Sequence, residues 1–546
     1  MQGKKNYQEK IFLNFQLSDR VPENNFYRRL KSSLDLGYLY SETKEYYGDC
    51  GHKSIDPVVF MKLMLVGYLE NISSERKLID HCSMRMDILF FLDHDIDEPL
   101  PWHSTISRTR KLFPESVFIK FFEQIFGLCV ESGMVRGKVQ AIDSAPVKAN
   151  ASMDSLELKQ PMVSVSDYIT EVEKATPREN KNKTKPEDDW HPKRRSKQDK
   201  SKVEDRKIEA DKRTLDQQKS RGKNWDKNQK TRPGNKDPRS KFTSNKTHYS
   251  PVDPDAKISV KPGKARKLNY ASQMAVDEKE HVITHIAADY ADKKDNQSLQ
   301  EITDTLQWRL HRFGLKWETL LADTGYSSGE NYAYLEKKGI ENYIPAHGTY
   351  KGGPDGFEYK EEGDYWLCRN NKKVTFRKVR EEKSRTQYGS GITLKRTYLT
   401  KRSDCKGCPL KTECLGKSQE RKIDITNYKK EYDRAIERVE SSKGQYYKKK
   451  RSSTVEPVFG TLTQHLAMGK IYARGIKNAN KIMLMAGAAY NLKKYLKRME
   501  KLTKNPASGV GIIQENLSLI QNALLQAILS LFAELKISSN FIAPKI

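Results

Sequence analysis

Two short apolar runs end alike. Val139-Gln140-Ala141-Ile142 leads into Asp143-Ser144, and Thr319-Leu320-Leu321-Ala322 leads into Asp323-Thr324-Gly325-Tyr326. Both read as buried strands closing on a carboxylate. A single such Asp is usually structural. Carboxylates are seldom buried without a partner, however, so two in one sheet point to a metal site. A third acid, Glu456, lies in Thr454-Val455-Glu456-Pro457-Val458-Phe459-Gly460, just after the basic run Lys448-Lys449-Lys450-Arg451. The cysteines form a second candidate donor set. Cys405, Cys408 and Cys414 lie close together, with Cys368 upstream in Tyr365-Trp366-Leu367-Cys368. Four thiolates suit a tetrahedral structural Zn2+, which would staple a segment with little core of its own; free thiols or a redox pair are the alternatives. Cys50, Cys82 and Cys129 read as packing residues.

Helices dominate the chain ahead of the first strand. Asp56-Pro57 is a good N-cap and first-turn pair, and Val58, Met61, Leu65, Tyr68 and Leu69 follow at helical spacing. Leu78, Ile79, Cys82, Met86, Ile88 and Leu89 suggest a second helix. Ser104 is a candidate cap for a short helix, Thr105 to Leu112, that carries Arg108, Arg110 and Lys111. Pro114 opens another helix, with Val117, Phe121, Phe122, Ile125 and Phe126 on one face and Gly133 as its stop. The basic helix is a candidate DNA reader in a helix-turn-helix-like arrangement, against the plainer reading of a bundle with a wet basic face. Beyond it, strands are expected at 139–144, 268–276 and 281–287, a helix near 297–313, a strand ending at Asp323, a helix near 331–338 and a strand near 340–345. The order βββαβαβ predicts an α/β fold with an RNase-H-like mixed sheet. His285 falls in one of these strands and reads as a core histidine.

The formal charge of the 546-residue chain is +28, with 31% charged and 36% hydrophobic residues. That balance points to a polyanionic partner. Residues 181–250 carry 23 Lys/Arg against 11 Asp/Glu, a surplus of 12, with few large apolar residues. The segment 155–250 therefore reads as a basic, disordered insertion with fragments of helix at most, either a linker or a loose phosphate clamp. No apolar run is long enough to span a bilayer, no signal-peptide core is present, and seven Cys suit a reducing compartment. After Asn505-Pro506-Ala507-Ser508-Gly509, the residues Leu517, Ile520, Leu524, Leu525, Ile528 and Leu531 form an amphipathic pattern, either a cover for the core or a pairing surface.

The chain resembles the DDE transposases of bacterial insertion sequences, most closely the 1182-type branch, in which a long variable insertion follows the first Asp. The likeness rests on Ala141-Ile142-Asp143-Ser144 with Lys148-Ala149-Asn150, on Leu321-Ala322-Asp323-Thr324-Gly325-Tyr326, and on Val455-Glu456-Pro457-Val458-Phe459-Gly460 with Arg474-Gly475 and Asn491-Leu492. It also takes in the helical region with Ser104-Thr105-Ile106-Ser107-Arg108, and so spans about residues 15–500. One position departs: such transposases commonly carry Lys or Arg seven residues after the Glu, where this chain has Thr463. Arg451, His465 and Lys470 are the candidate substitutes.

The resemblance implies a domain order. Residues 1–135 would be a helical DNA-binding domain. Residues 136–154 and 251–347 would be two parts of the core, separated by the 155–250 insertion. A Cys-containing subdomain would occupy 348–440, core helices carrying Glu456 would occupy 441–500, and an amphipathic helix would occupy 501–546. Asp143, Asp323 and Glu456 would hold two Mg2+ or Mn2+ ions about 3.5–4 Å apart, with Asp143 bridging. Such a centre cleaves element ends and joins them to target DNA, with water and then a DNA 3′-hydroxyl as nucleophile. Arg108, Arg110, Lys111, Lys148, Asn150, Arg451 and Arg474 are the expected DNA contacts. The partner would be double-stranded DNA, terminal inverted repeats and target, bound by a homodimer or larger assembly in the bacterial cytoplasm, with no membrane. A structure-specific metal-dependent nuclease and an inactive DNA-binding protein remain as alternatives.

Overall fold

The computed structural model describes residues 16–48, 54–161, 209–231, 243–260, 265–348, 350–386 and 389–504. Cys50, most of the basic insertion and the amphipathic pattern after residue 505 lie outside them. Among the described residues the N-terminal region is helical; besides the short helices Leu17–Arg20 and Tyr38–Thr43 it holds α1 (Phe26–Ser33), α2 (Pro57–Leu69), α3 (Glu75–Ser83), α4 (Met86–Leu92), α5 (His103–Leu112) and α6 (Glu115–Glu131). Asp56 caps α2 as expected, its carboxylate accepting from the Val58 and Val59 amides. The single helix expected across Leu78–Leu89 is broken in two. Arg85 adopts extended backbone between the halves, and its guanidinium grips Asp87 in the first turn of α4 at 2.8 Å. Helix α5 starts at His103, after an extended Trp102 that gives no side-chain cap, not at a Ser104 cap.

The central sheet is formed by β1 (Val139–Lys148), β2 (Lys257–Ser259), β3 (Lys267–Asp277), β4 (Ile283–Tyr290), β5 (Thr319–Leu321) and β6 (Glu341–Tyr343). Strand β3 pairs antiparallel with β1, β2 and β4; β5 pairs parallel with β1, and β6 parallel with β5. Between them lie α7 (Lys212–Thr231), in the basic insertion, then α8 (Asp295–Arg312) and α9 (Gly329–Lys337). Three antiparallel strands followed by two parallel ones, in the spatial order β4-β3-β1-β5-β6, realise the βββαβαβ order expected from the sequence. Within the insertion, 157–158 pairs with 248–249 and 160–161 with 209–210. Helix α7 runs for 20 residues, more than the fragments expected; Lys, Arg and Gln favour helix, and Leu215 buries itself against the chain.

A second sheet of five antiparallel strands follows: β7 (Glu358–Lys360), β8 (Tyr365–Leu367), β9 (Lys373–Thr386), β10 (Gly389–Thr400) and β11 (Lys422–Thr426). Contrary to expectation it has its own small core, Trp366, Val374, Tyr398 and Ile423. Helices α10 (Lys429–Glu440), α11 (Ser442–His465) and α12 (Ile476–Lys504) complete the described chain. Helix α12 is buried through its middle, Lys481–Leu492, between α6 and β4. A side chain at Gly487 would meet Ile286 at 2.9 Å and Phe122 at 3.3 Å, so the closeness of this packing depends on glycine. The N-terminal helices and the sheet consequently share one hydrophobic core, which includes Phe60, Phe118, Phe122, Ile142, Met274 and Leu484. Asn491, on α12, both donates to and accepts from the backbone of Ile283 at 2.8 Å, closing that edge of β4. Among the described residues no helix is long and apolar enough to cross a membrane.

Candidate catalytic site

Register brings the first two acids together. The parallel pairing of β1 with β5 ends at Ala141 beside Leu321. Asp143 and Asp323 each stand two residues further on, so strand alternation sets them at the same level on the same side. Strand β1 does not stop at the carboxylate, as the sequence suggested. It runs on to Lys148 because β3 still pairs with it there, Asp143 opposite Met274. Asp143 is mostly buried, and burial pushes its carboxyl up from the usual range; Arg451 opposes that shift and the charge of Asp323 adds to it. The Arg451 guanidinium, reaching in from α11, donates to Asp143 Oδ2 at 2.9 Å. Asp323 caps the turn after β5, accepting from the Gly325 amide at 2.9 Å.

Asp295, in the first turn of α8, is a neighbour that the sequence reading missed. Its Oδ1 accepts from Ser144 Oγ at 2.6 Å. A Cβ at Gly325 would lie 2.9 Å from Asp295 Oδ2 and 3.0 Å from Asp323 Oδ1, so both carboxylates crowd the same glycine. The buried Tyr326 phenol is raised well above its ordinary range by burial and by the charges of Asp295, Asp143 and Asp323. It donates to Gln273 Oε1 at 2.8 Å. The only signal for Asp295 was an acid at the start of a helix, which is normally a capping feature.

Glu456 is not gathered with them. It is exposed, beside a pocket of about 660 Å³ that it shares with Gln445, Lys448, Lys449, Ser452, Ser453 and Pro457. Five residues separate it from Arg451, roughly 140° around a helix at 3.6 residues per turn. Among the described residues no three His, Cys, Asp or Glu side chains converge on one metal position.

The expected DNA contacts divide. Lys148 lines an open groove of about 600 Å³ with Asn150, Lys267 and Lys470. Asn150 itself is engaged, donating to the Tyr472 carbonyl at 2.9 Å. Arg451 is committed to Asp143. Arg110 is turned inward onto Glu75 at 2.6 Å, its side chain 12% exposed, which removes it from a groove-reading face; Arg108 and Lys111 are exposed. Arg474 is exposed, while the Gly475 beside it takes φ +85° and donates to buried Asp253 at 3.1 Å. Thr463 hydroxyl back-bonds to Phe459 O within α11. His285 is a core residue beside Arg309 at 3.4 Å; burial, then that guanidinium, pushes its imidazole down to about 3.

The thiols do not form the expected centre. Cys368, Cys405, Cys408 and Cys414 are free and partly exposed around one end of the second sheet. The Cys405 thiol donates to Thr400 Oγ1 at 3.2 Å, Cys408 Sγ accepts from Asn370 at 3.6 Å, and Cys368 Sγ accepts from the Lys372 amide at 3.4 Å. Among the described residues no three of these sulfurs converge on one metal position, and Trp366 and Tyr398 already give the segment a core, so zinc is not supported.

Two stretches match known families: residues 15–112 match a transposase domain (DUF772), and residues 367–496 match a transposase DDE domain. No curated protein matches the chain. The first match covers α1 to α5. The second covers the last three strands of the second sheet, Glu456 and most of α12, and Asp143 and Asp323 lie outside both. A DDE domain implies an RNase-H-like core, a divalent metal and DNA as partner, and the mixed sheet agrees with it. The protein is a DNA transposase of the DDE type.

Proposed function

We propose that this transposase cleaves the ends of its element and joins them to target DNA, with Asp143, Asp323 and Glu456 as its metal-holding acids. The observation that carries the reading is the shared register that sets Asp143 beside Asp323 at the open end of the parallel strands. Hard carboxylate oxygens in a half-open, partly buried setting suit Mg2+ or Mn2+. When bound, such ions stabilise charge on the attacking and leaving oxygens of a phosphodiester. The protein's own groups do the rest. Arg451 holds the Asp143 carboxylate in one orientation and balances its charge. Lys148, Lys267 and Lys470 line a groove suited to phosphates. Glu456 has to be turned inward, and α11 has a weak point for that: Pro457 lacks the N–H that would bond to the carbonyl of Ser453. Joining two ends at once calls for a dimer or larger assembly, and the long basic insertion after Asp143 supports the 1182-type branch.

A second reading has Asp295 as the third acid, favoured by its closeness to Asp323 around Gly325. Asp143→Asn, Asp323→Asn, Glu456→Gln and Asp295→Asn should be assayed for cleavage and joining of inverted repeats flanking the coding region. The first three should each lose about three powers of ten in rate, equivalent to about 4 kcal/mol, while still binding duplex DNA. An active Glu456→Gln with a dead Asp295→Asn would transfer the role. Activity in Asp143→Asn or Asp323→Asn would overturn the site.

A further inference from the structure

We infer that the groove lined by Lys148, Lys267 and Lys470 takes unpaired DNA, a single strand freed at an element end, with Tyr472 as its stacking platform. The inference rests on the transposase reading above and names the state of the DNA at that groove. Pairing of β1 with β5 ends at Ala141. The freed edge of β1 is taken up again at Lys148, which bridges in parallel with Lys470 and accepts from the Ile471 amide at 2.8 Å. On its other side Lys148 stands opposite Asn269 of β3. Direct partners, and residues two apart on one strand, point to the same face. Lys470, Lys148 and Lys267 therefore form a row across three neighbouring chain segments, its adjacent members about 5–8 Å apart. Like charges set opposite one another are destabilising. Among the described residues no ion pair relieves these three. A row of lysines kept at that cost suits a run of phosphates.

Two features favour a single strand over a duplex. The groove holds about 600 Å³, and its lining includes the apolar Met153, Val252 and Leu268. Volumes of about 300–1,000 Å³ suit single small ligands, so the groove admits nucleotides and not a duplex. An apolar lining also has nothing to meet on a duplex, whose bases are stacked away from its phosphates. The second feature is Tyr472. Its side chain is 49% exposed, and the Lys470 ammonium lies 4.8 Å from the ring centroid. Asn150, which lines the groove, holds the Tyr472 carbonyl at 2.9 Å. An aromatic ring beside a cationic groove holds single strands whatever their sequence, because every base has a face to stack and every nucleotide a phosphate. Lys148 lies five residues past Asp143 on β1, roughly 17 Å at the usual rise of a strand. The groove is thus placed for nucleotides a short way from the proposed cutting site.

The test uses the full chain, with EDTA present so that no strand is cut, and a pair of probes. One is a random-sequence duplex; the other is the same duplex with a short unpaired tail that carries 2-aminopurine. Wild type should bind the tailed duplex more tightly and quench the 2-aminopurine. Tyr472→Ala should lower affinity for the tailed duplex about tenfold, the loss of one stacked base, and leave the paired duplex unchanged. Tyr472→Phe, which keeps the ring, should match wild type. Lys148→Ala/Lys470→Ala should reduce the preference for the tail. Should Tyr472→Ala melt early, the Phe and lysine variants carry the test without it. Equal affinity of wild type for both probes would overturn the inference. So would a lysine variant that weakens both probes alike, as expected if the groove holds duplex phosphates, or a Tyr472→Phe that no longer quenches the tail. Because only binding is read, a failure of the catalytic reading appears separately, as end cleavage unaffected by Asp143→Asn.

Discussion

At Asp143 a buried carboxylate is kept in place by one guanidinium. Arg451 touches the acid and, in the proposed site, acts through it. Arg451→Lys keeps a charge but loses the planar fork, and should cut the cleavage rate by about 10–100-fold, as loss of a metal ligand's support usually does, with little change in duplex affinity. An equal loss of rate and affinity would make Arg451 a DNA contact instead. His285 offers a second measurement at this scale. Its imidazole stays neutral in the folded protein down to about pH 3, whereas in the unfolded chain it takes a proton below about 6.5. Its contribution is therefore complete above pH 6.5 and is lost as pH falls toward 3. Between pH 7 and 5 this residue alone should cost about 2 kcal/mol of stability. His285→Gln, which cannot take the proton, should show a shallower loss in denaturant titrations at the two pH values.

Among the elements, α12 bears most on the architecture, because it wedges between the N-terminal helices and the sheet. Its Lys481 is buried and donates to the carbonyls of Arg110 and Phe113, tying down the end of α5. Gly487→Ala would force a methyl to within 2.9 Å of Ile286. The substitution should destabilise the fold by about 1–3 kcal/mol, the usual range for overpacking, and lower the thermal midpoint. An unchanged midpoint would mean that α12 can shift, and that the helical region and the sheet are not locked together. The same packing explains why Arg110 is unavailable to DNA: α5 is held by α12 and by Glu75, and of its Lys and Arg side chains Arg108 and Lys111 face outward.

For the whole molecule, charge and core are separately distributed. Residues 181–208 lie outside the described structure and carry 11 Lys/Arg against 6 Asp/Glu. Excising them while keeping α7 and the 157–158/248–249 pairing should weaken binding to all duplexes alike, since a surplus of Lys and Arg neutralises phosphates whatever the base sequence. Preference for the element's terminal repeats, measured by competition against random duplex, should survive. Loss of that preference would assign end recognition to the insertion.

The sequence alone determined the alternation of elements, because hydrophobic period and cap residues act locally: Asp56-Pro57 opens a helix and Val139–Ile142 a strand whatever surrounds them. It also singled out Asp143 and Asp323, since an acid after a buried apolar run is costly enough to be conspicuous. What only the tertiary structure decided depends on partners far apart in the chain. The parallel register of β1 with β5 sets Asp143 beside Asp323 across 180 residues. Arg451 meets Asp143 from a helix 308 positions away. Asp295 carries no local signal beyond its place in the first turn of α8, and only folding brings it to Gly325. The CxxC spacing suggested zinc, yet each of those sulfurs has its own nearby partner, and the core that makes a metal staple unnecessary comes from strands pairing across the second sheet. Local spacing cannot report where a side chain points once α12 and the two sheets have packed, and those contacts decide which of the charged residues remain free to meet DNA.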